Sequence, residues 1–249
     1  MSTRDDELTG KVALVTGAGR RIGAAIVRRL HGAGMHVALH YRRSRAEAER
    51  LCAELNAAGG AEAAPFAADL LESAAAGALV GEAVRRFGRL DVLVNNASSF
   101  YATPLGDIDE TAFRDLVGTN LAAPLFLAQA AAPHLRAARG CIVNLADIYG
   151  LRPPRGYAVY GAAKGGLITL TRALAEDLAP QVRVNAIAPG AILWPEDGDE
   201  SAAQRILARV PLGRTGTVEE IAATVLYLVR DAGYTTGALV RVDGGREIG

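Results

Sequence analysis

Seven short, mostly apolar runs punctuate the chain, at residues 11–16 (KVALVT), 36–41 (HVALHY), 62–67 (EAAPFA), 91–94 (DVLV), 140–146 (GCIVNLA), 182–188 (VRVNAIA) and 239–242 (LVRV). Runs of this length that stay apolar rather than alternating predict strands buried on both faces. The longer stretches between them predict helices from a glycine turn near 17–23 to about 34, and over 45–58, 109–120, 121–138, 157–178, 201–209 and 218–230. The helix over 157–178 has to stop before Pro180. No segment repeats and no linker interrupts the pattern. Strands that alternate with helices in this way predict an α/β fold: one domain over 1–249 with a seven-stranded, parallel, doubly wound sheet and helices on both faces.

Ligands of such sheets bind outside the carboxyl ends of the strands, and the candidate chemistry falls there. The first strand opens onto Thr16-Gly17-Ala18-Gly19-Arg20-Arg21-Ile22-Gly23. In a strand–turn–helix context the glycines let backbone approach a pyrophosphate seated on the helix N-terminus, although a plain tight turn has the same composition. The second strand ends in His40-Tyr41-Arg42-Arg43-Ser44, and no acidic residue stands between Gly10 and Glu47 to take a ribose 2′-hydroxyl. Two arginines and a serine there suit a 2′-phosphate instead, so NADPH is expected over NADH. Asp69 and Leu70 follow the third strand, either along an adenine ring or as a cap of the next helix. Asn95 to Tyr101 (NNASSFY) follow the fourth, Asp147 the fifth, and Pro189-Gly190 the sixth. Tyr160 and Lys164, four apart, share one helical face, where an ammonium can pull a phenol toward the working pH. Asp147 stands thirteen residues before that tyrosine and completes a candidate acid pair.

Composition narrows the picture. Formal charge is zero and no run of five like charges occurs, so neither a nucleic-acid nor a membrane surface is expected. The apolar stretch 121–135 is too short to span a bilayer. The opening MSTRDDELTGK lacks an apolar h-region, so no signal peptide is expected. Cys52 and Cys141 match no metal or redox spacing, the four histidines are scattered, and a reducing, cytoplasmic compartment is the default expectation. Of the 27 basic residues only Lys11 and Lys164 are lysines. A lysine kept one turn after a tyrosine in so arginine-rich a chain suggests a role for a compact ammonium, which a planar fork fills poorly.

Taken together, TGAGRRIG (16–23), NNAS (95–98), Asn120, YGAAK (160–164) and PG (189–190) resemble the short-chain dehydrogenase/reductase family over essentially the whole chain. The resemblance implies a Rossmann-type domain and hydride transfer to or from C=O or C=N. Tyr160 would donate the proton, Lys164 would hold the nicotinamide ribose and lower the tyrosine pKa, and Asn120 would order a water relay. Cofactor contacts would come from Gly17, Arg20, Arg21, Ile22, Gly23, His40, Tyr41, Arg42, Arg43, Ser44, Asp69, Leu70, Asn96, Ala97, Ser98, Tyr160, Lys164, Pro189, Gly190 and Ile192. Two positions depart from the common pattern: Arg21 replaces a glycine, and Asp147 replaces a serine that hydrogen-bonds a substrate carbonyl. Both look like the pteridine reductase branch, as do HYRRS (40–44), NNASSFY, Gly156-Tyr157 and VDGGR (242–246). By that likeness Arg21, Ser98, Phe100, Asp147, Tyr157 and Tyr160 contact a pterin, with Phe100 opposite the nicotinamide. Core packing for Phe100 and a capping role for Asp147 are the plain alternatives.

The expected function is therefore NADPH-dependent reduction of a dihydropterin such as dihydrobiopterin or dihydromonapterin, or of dihydrofolate, to the tetrahydro form. A carbonyl reductase of 3-oxoacyl thioesters or sugars is the alternative, and a non-catalytic NADP(H) sensor a remote one. The acidic loop after Gly190, carrying Trp194, is expected to act as a substrate lid near 191–210. The resemblance also implies a homotetramer built on the helices over 109–138 and 157–178.

Overall fold

The computed structural model describes residues 8–192 and 200–248. Its strands are β1 (Val12–Val15), β2 (His36–Tyr41), β3 (Ala63–Ala67), β4 (Val92–Asn95), β5 (Cys141–Leu145), β6 (Arg183–Pro189) and β7 (Leu239–Val242). They form one sheet in the order β3-β2-β1-β4-β5-β6-β7, with every pair parallel. Alternate side chains of β1 explain why its run had to be continuously apolar. Ala13 and Val15 enter one core layer, while Val12 and Leu14 enter the other.

Helices α1 (Arg21–Gly32), α2 (Arg45–Ala58) and α3 (Ser73–Phe87) connect the first four strands. Beyond β4 lie α4 (Glu110–Val117) and α5 (Ala123–Ala138), and beyond β5 lies α6 (Ala158–Asp177). Helices α7 (Glu200–Leu207) and α8 (Val218–Arg230) precede β7. The chain reverses direction across the sheet between β1 and β4, and that switch point opens a crevice at the carboxyl edge.

One expectation is corrected. The helices over 109–120 and 121–138 are a single run, because Gly118–Ala122 form a π turn that joins α4 to α5. Pro124 gives a physical reason. In an α-register its ring would press on the carbonyl of Asn120, four residues earlier, and it has no N–H to donate. The wider π turn relieves that crowding. The joined helix, Glu110–Ala138, is 29 residues long and by length and composition could cross a membrane, unlike its 121–135 portion. In this fold α5 packs against α3, β4 and β5.

Candidate active site

The crevice at the switch point has a volume of about 380 Å³ and is lined by Gly17, Arg20, the His40–Ser44 segment, Asp69 to Leu71, Asn96 to Ser99 and Thr119. Its floor is the glycine turn. Gly17 has φ +61°, and a Cβ there would lie 2.9 Å from Ala97 Cα. A Cβ on Gly23 would lie 2.3 Å from Gly17 O. Asn96 locks the turn by donating from Nδ2 to Thr16 O (2.8 Å) and Gly17 O (3.0 Å), and Thr16 Oγ1 accepts from the N–H groups of Asn96 and Ala97. Helix α1 starts at this turn with no acidic residue in its first turn and no side-chain cap from Arg20. Its N–H groups and dipole therefore favour an anion, as a pyrophosphate site requires. Arg21, at φ +53°, occupies the left-handed region that favours glycine. Its side chain is exposed.

His40 lies beneath the turn. Its Nδ1 accepts from Gly17 N–H (3.1 Å), so the proton sits on Nε2, 3.1 Å from Ala68 O. Burial lowers its pKa and keeps the ring neutral. Tyr41 and Leu70 are buried beside it. Arg42 pairs with Asp69 (Nη2 to Oδ2, 2.9 Å) and approaches Asp115 at 3.9 Å, whereas Asp69 Oδ1 accepts from Leu71 N–H. Asp69 thus closes a local turn and holds an arginine, and it does not cap α3, whose N-cap is Glu72 with no side-chain cap. Arg43 and Ser44 complete the basic rim of the crevice. With Arg20, these groups fit a 2′-phosphorylated dinucleotide in sign, backbone approach and donor type.

The reactive groups meet where β5 ends. Residues Ile148–Gly150 form one turn of 3-10 helix lying directly on α6, because Gly150 and Gly165 have no side chains between them. A Cβ on Gly150 would come within 2.8 Å of Lys164 C. This contact carries Asp147 to Tyr160: the phenol donates to Asp147 Oδ2 at 2.8 Å, and Asp147 Oδ1 accepts from Tyr149 N–H at 2.8 Å. Tyr160 and Lys164 are 3% and 2% exposed, so both are desolvated. Lys164 donates to Leu145 O at 2.7 Å and lies 5.8 Å from the Tyr160 ring centroid. Burial brings the lysine down to about 8, against the opposing pull of Asp147. Burial raises the Asp147 carboxyl above its ordinary value, resisted by the Tyr149 and Tyr160 hydrogen bonds and by the charges of Lys164 and Arg246.

The tyrosine moves opposite to expectation. Burial first, and then the adjacent Asp147 carboxylate, push Tyr160 upward, and only the Ser98 hydroxyl works the other way. A phenol that donates to a buried carboxylate is held as the acid. The family-derived expectation of a lowered value omitted that carboxylate.

Asn120 sits in the π turn, fully buried, where Oδ1 accepts from Ser98 Oγ (2.7 Å) and Nδ2 donates to Ser99 O and Leu116 O. Phe100 is 54% exposed and so is not a core residue. It stacks on Tyr157 (5.2 Å, 18°) and meets Tyr160 edge-on (4.9 Å, 76°), forming an aromatic wall beside the acid pair. Pro189 closes β6, and Gly190 packs so closely on the segment after β7 that a Cβ would lie 2.6 Å from Asp243 Cα. Ile192 is buried in the core. Trp194 and most of the acidic loop lie outside the described residues.

Two residues at the site escaped sequence reasoning. Tyr149 lies edge-on to both Tyr157 and Tyr160. Arg246, from the C-terminal turn, donates to Tyr149 OH at 3.2 Å and stands 5.4 Å over its ring. Only the position of Tyr149, two residues past Asp147 at a strand exit, hinted at the first. The second closes the VDGGR motif (242–246), but nothing in that motif pointed to the active site.

The family model described as enoyl-(acyl carrier protein) reductase matches residues 17–247. Among curated proteins, pteridine reductase 1 of Leishmania tarentolae is 39% identical over 95% of this chain and 96% of its own. The 3-oxoacyl-(acyl-carrier-protein) reductase of Staphylococcus aureus is 37% identical over 94% of this chain and 97% of its own. A solved structure of a blue fluorescent protein from a metagenomic library, in complex with NADPH, superposes with a TM-score of 0.90 at 38% identity, covering 96% of this chain and 98% of that one.

Proposed function

The chain belongs to the short-chain dehydrogenase/reductase family as an NADPH-dependent oxidoreductase, and from that premise we propose that it reduces a dihydropterin to the tetrahydro form. The observation that carries this reading is Asp147 accepting from Tyr160 beneath the Phe100–Tyr157 wall. A simple ketone needs a hydroxyl donor at this position, which a carboxylate cannot supply. A pterin presents ring N–H and amino donors to a carboxylate and a flat face to an aromatic wall.

NADPH, when bound, supplies the hydride. Backbone at Gly17 and the open N-terminus of α1 take its pyrophosphate, with Arg20, Arg21, Ile22 and Gly23 around it. Arg42, Arg43 and Ser44 take the 2′-phosphate, and Lys164 the ribose hydroxyls. Tyr160 Oη holds the proton that moves to the pterin ring nitrogen as the adjacent carbon gains the hydride. Asp147 orients the ring by accepting from its N–H groups, and Ser98, anchored on Asn120, fixes the edge. The Phe100 and Tyr157 rings exclude water from one face.

The test is NADPH oxidation with dihydrobiopterin, dihydromonapterin and dihydrofolate, with acetoacetyl thioester as the control. Turnover of at least one pterin is expected. Turnover of the thioester alone would replace this reading by that of a 3-oxoacyl reductase, the activity named for the staphylococcal relative. Asp147→Ser is expected to lower pterin kcat/KM about 100-fold, roughly the loss of one charge-assisted hydrogen bond in the transition state. We also infer a homotetramer.

A further inference from the structure

The C-terminal turn is built to deliver one side chain. Asp243 Oδ1 accepts from Gly245 N–H (3.0 Å) and Oδ2 from Glu247 N–H (2.9 Å), and its backbone carbonyl accepts from Arg246 N–H (3.1 Å). Gly244 and Gly245 supply the positive φ values (63° and 84°) that the reversal needs. Gly190, lacking a side chain, lets this turn lie on the end of β6. The result places Arg246 on Tyr149, 97 residues away in sequence, through a hydrogen bond from Nη2 and a guanidinium over the ring. Tyr149 in turn gives its backbone N–H to Asp147 Oδ1, the oxygen that does not face Tyr160.

The geometry points to Arg246 as a positioning residue: it fixes Tyr149, which seats Asp147 against Tyr160, and its permanent charge holds Asp147 as the acceptor. The groups acting on Asp147 are few. From α6 come Tyr160 and Lys164, from its own turn Tyr149, and from the C-terminal turn Arg246. Lys164 gives one of its donors to Leu145 O, and burial weakens its hold on a proton at alkaline pH. Arg246 keeps its charge throughout. Cation–π contact and the phenol hydrogen bond together pin a ring that would otherwise rotate.

This inference rests on the reading of Asp147 and Tyr160 as the reducing site, not on which substrate is reduced. Its test therefore needs no substrate. The carboxyl carbons of carbon-13-labelled aspartate are titrated by NMR, with the Asp147 signal identified by its loss in Asp147→Asn. In Arg246→Ala the midpoint of Asp147 is expected to rise, because an opposite charge that favours the carboxylate is lost. Arg246→Lys should return most of that shift, and Tyr149→Phe, which keeps the ring but not the hydroxyl, should show a smaller rise. The NADPH dissociation constant should stay within about twofold of wild type, because the Arg246 side chain lies on Tyr149 and does not line the crevice of the glycine turn and the arginine rim. An unmoved midpoint in Arg246→Ala overturns the assignment. So does a rise that Arg246→Lys fails to reverse, or a loss of NADPH binding, since either marks a collapsed turn instead of a lost charge. Absence of pterin turnover would leave this titration intact and count only against the substrate reading.

Discussion

Lys164 and Asp147 are desolvated groups of opposite charge flanking one phenol, and the lysine shows what that arrangement costs. Its folded value of about 8 lies below the ordinary 10.5. Between those values the unfolded chain binds more protons, so stability rises with pH across that window, and the penalty is fully present below pH 8. The shift corresponds to about 3 kcal/mol, offset by about 1 kcal/mol for the hydrogen bond to Leu145 O. Lys164→Met should therefore be more stable than wild type by about 2 kcal/mol at pH 7, a gain that fades toward pH 10, while turnover falls by about 100-fold or more. Thermal melts at the two pH values check it. Equal melting temperatures at pH 7 would mean that the ammonium is not desolvated as its surroundings indicate. The four-residue spacing of Tyr160 and Lys164 was legible in the sequence because helical periodicity is local. The upward push on Tyr160 was not, because it depends on burial and on a carboxylate brought in by another element. Arg246 was illegible for the same reason at longer range.

Between residue and fold, the decisive element is the short turn Ile148–Gly150 docked on α6. Glycines 150 and 165 let the turn lie so close to the Lys164 backbone that a Cβ on Gly150 would meet Lys164 C at 2.8 Å, and this brings Asp147 within reach of Tyr160. Gly150→Ala must push the turn away, because backbone cannot yield as a flexible side chain does. A cost of about 2 kcal/mol is expected, typical of overpacking. Turnover should fall by at least about tenfold, since a displacement near 1 Å breaks the pair, while NADPH affinity stays near wild type. Parallel measurement of unfolding, kcat and NADPH binding separates these effects, and loss of cofactor affinity would show that the turn also shapes the crevice. Most of the strand and helix pattern was readable to within a residue or two, with β2, α2, α8 and β7 matching at both ends, whereas α3 was given no bounds. The break expected at Leu121 was not there, because a π turn keeps Pro124 within a helix and periodicity has no signature for such a register change. That turn also places Asn120 against Ser98.

Across the whole molecule, a parallel sheet gathers all the described chemistry on one edge, and this too was legible, since each candidate group followed a strand. We propose that the basic rim at the end of β2 sets cofactor preference. Replacing Arg42 and Arg43 together by alanine should weaken NADPH about 50-fold, as expected for one or two charge-assisted hydrogen bonds. NADH, lacking the 2′-phosphate, should be unaffected in the same fluorescence titration, and an equal loss for both would move the arginines' role to the pyrophosphate. Assembly is the remaining question at this scale. Apolar side chains stand exposed in two regions, Phe113, Leu125 and Phe126 along the joined α4–α5 helix and Leu212, Tyr227 and Ile248 around α8 and the open edge at β7, whereas α6, the second contact face expected, carries no exposed large hydrophobic residue. A single self-complementary patch makes a dimer, whereas two distinct ones generate a tetramer with three perpendicular two-fold axes. Phe113→Arg with Phe126→Arg should therefore halve the proposed four-chain particle in light scattering, leaving dimers joined through the β7 edge. A particle that is already monomeric in the wild type would remove both patches from the account of assembly.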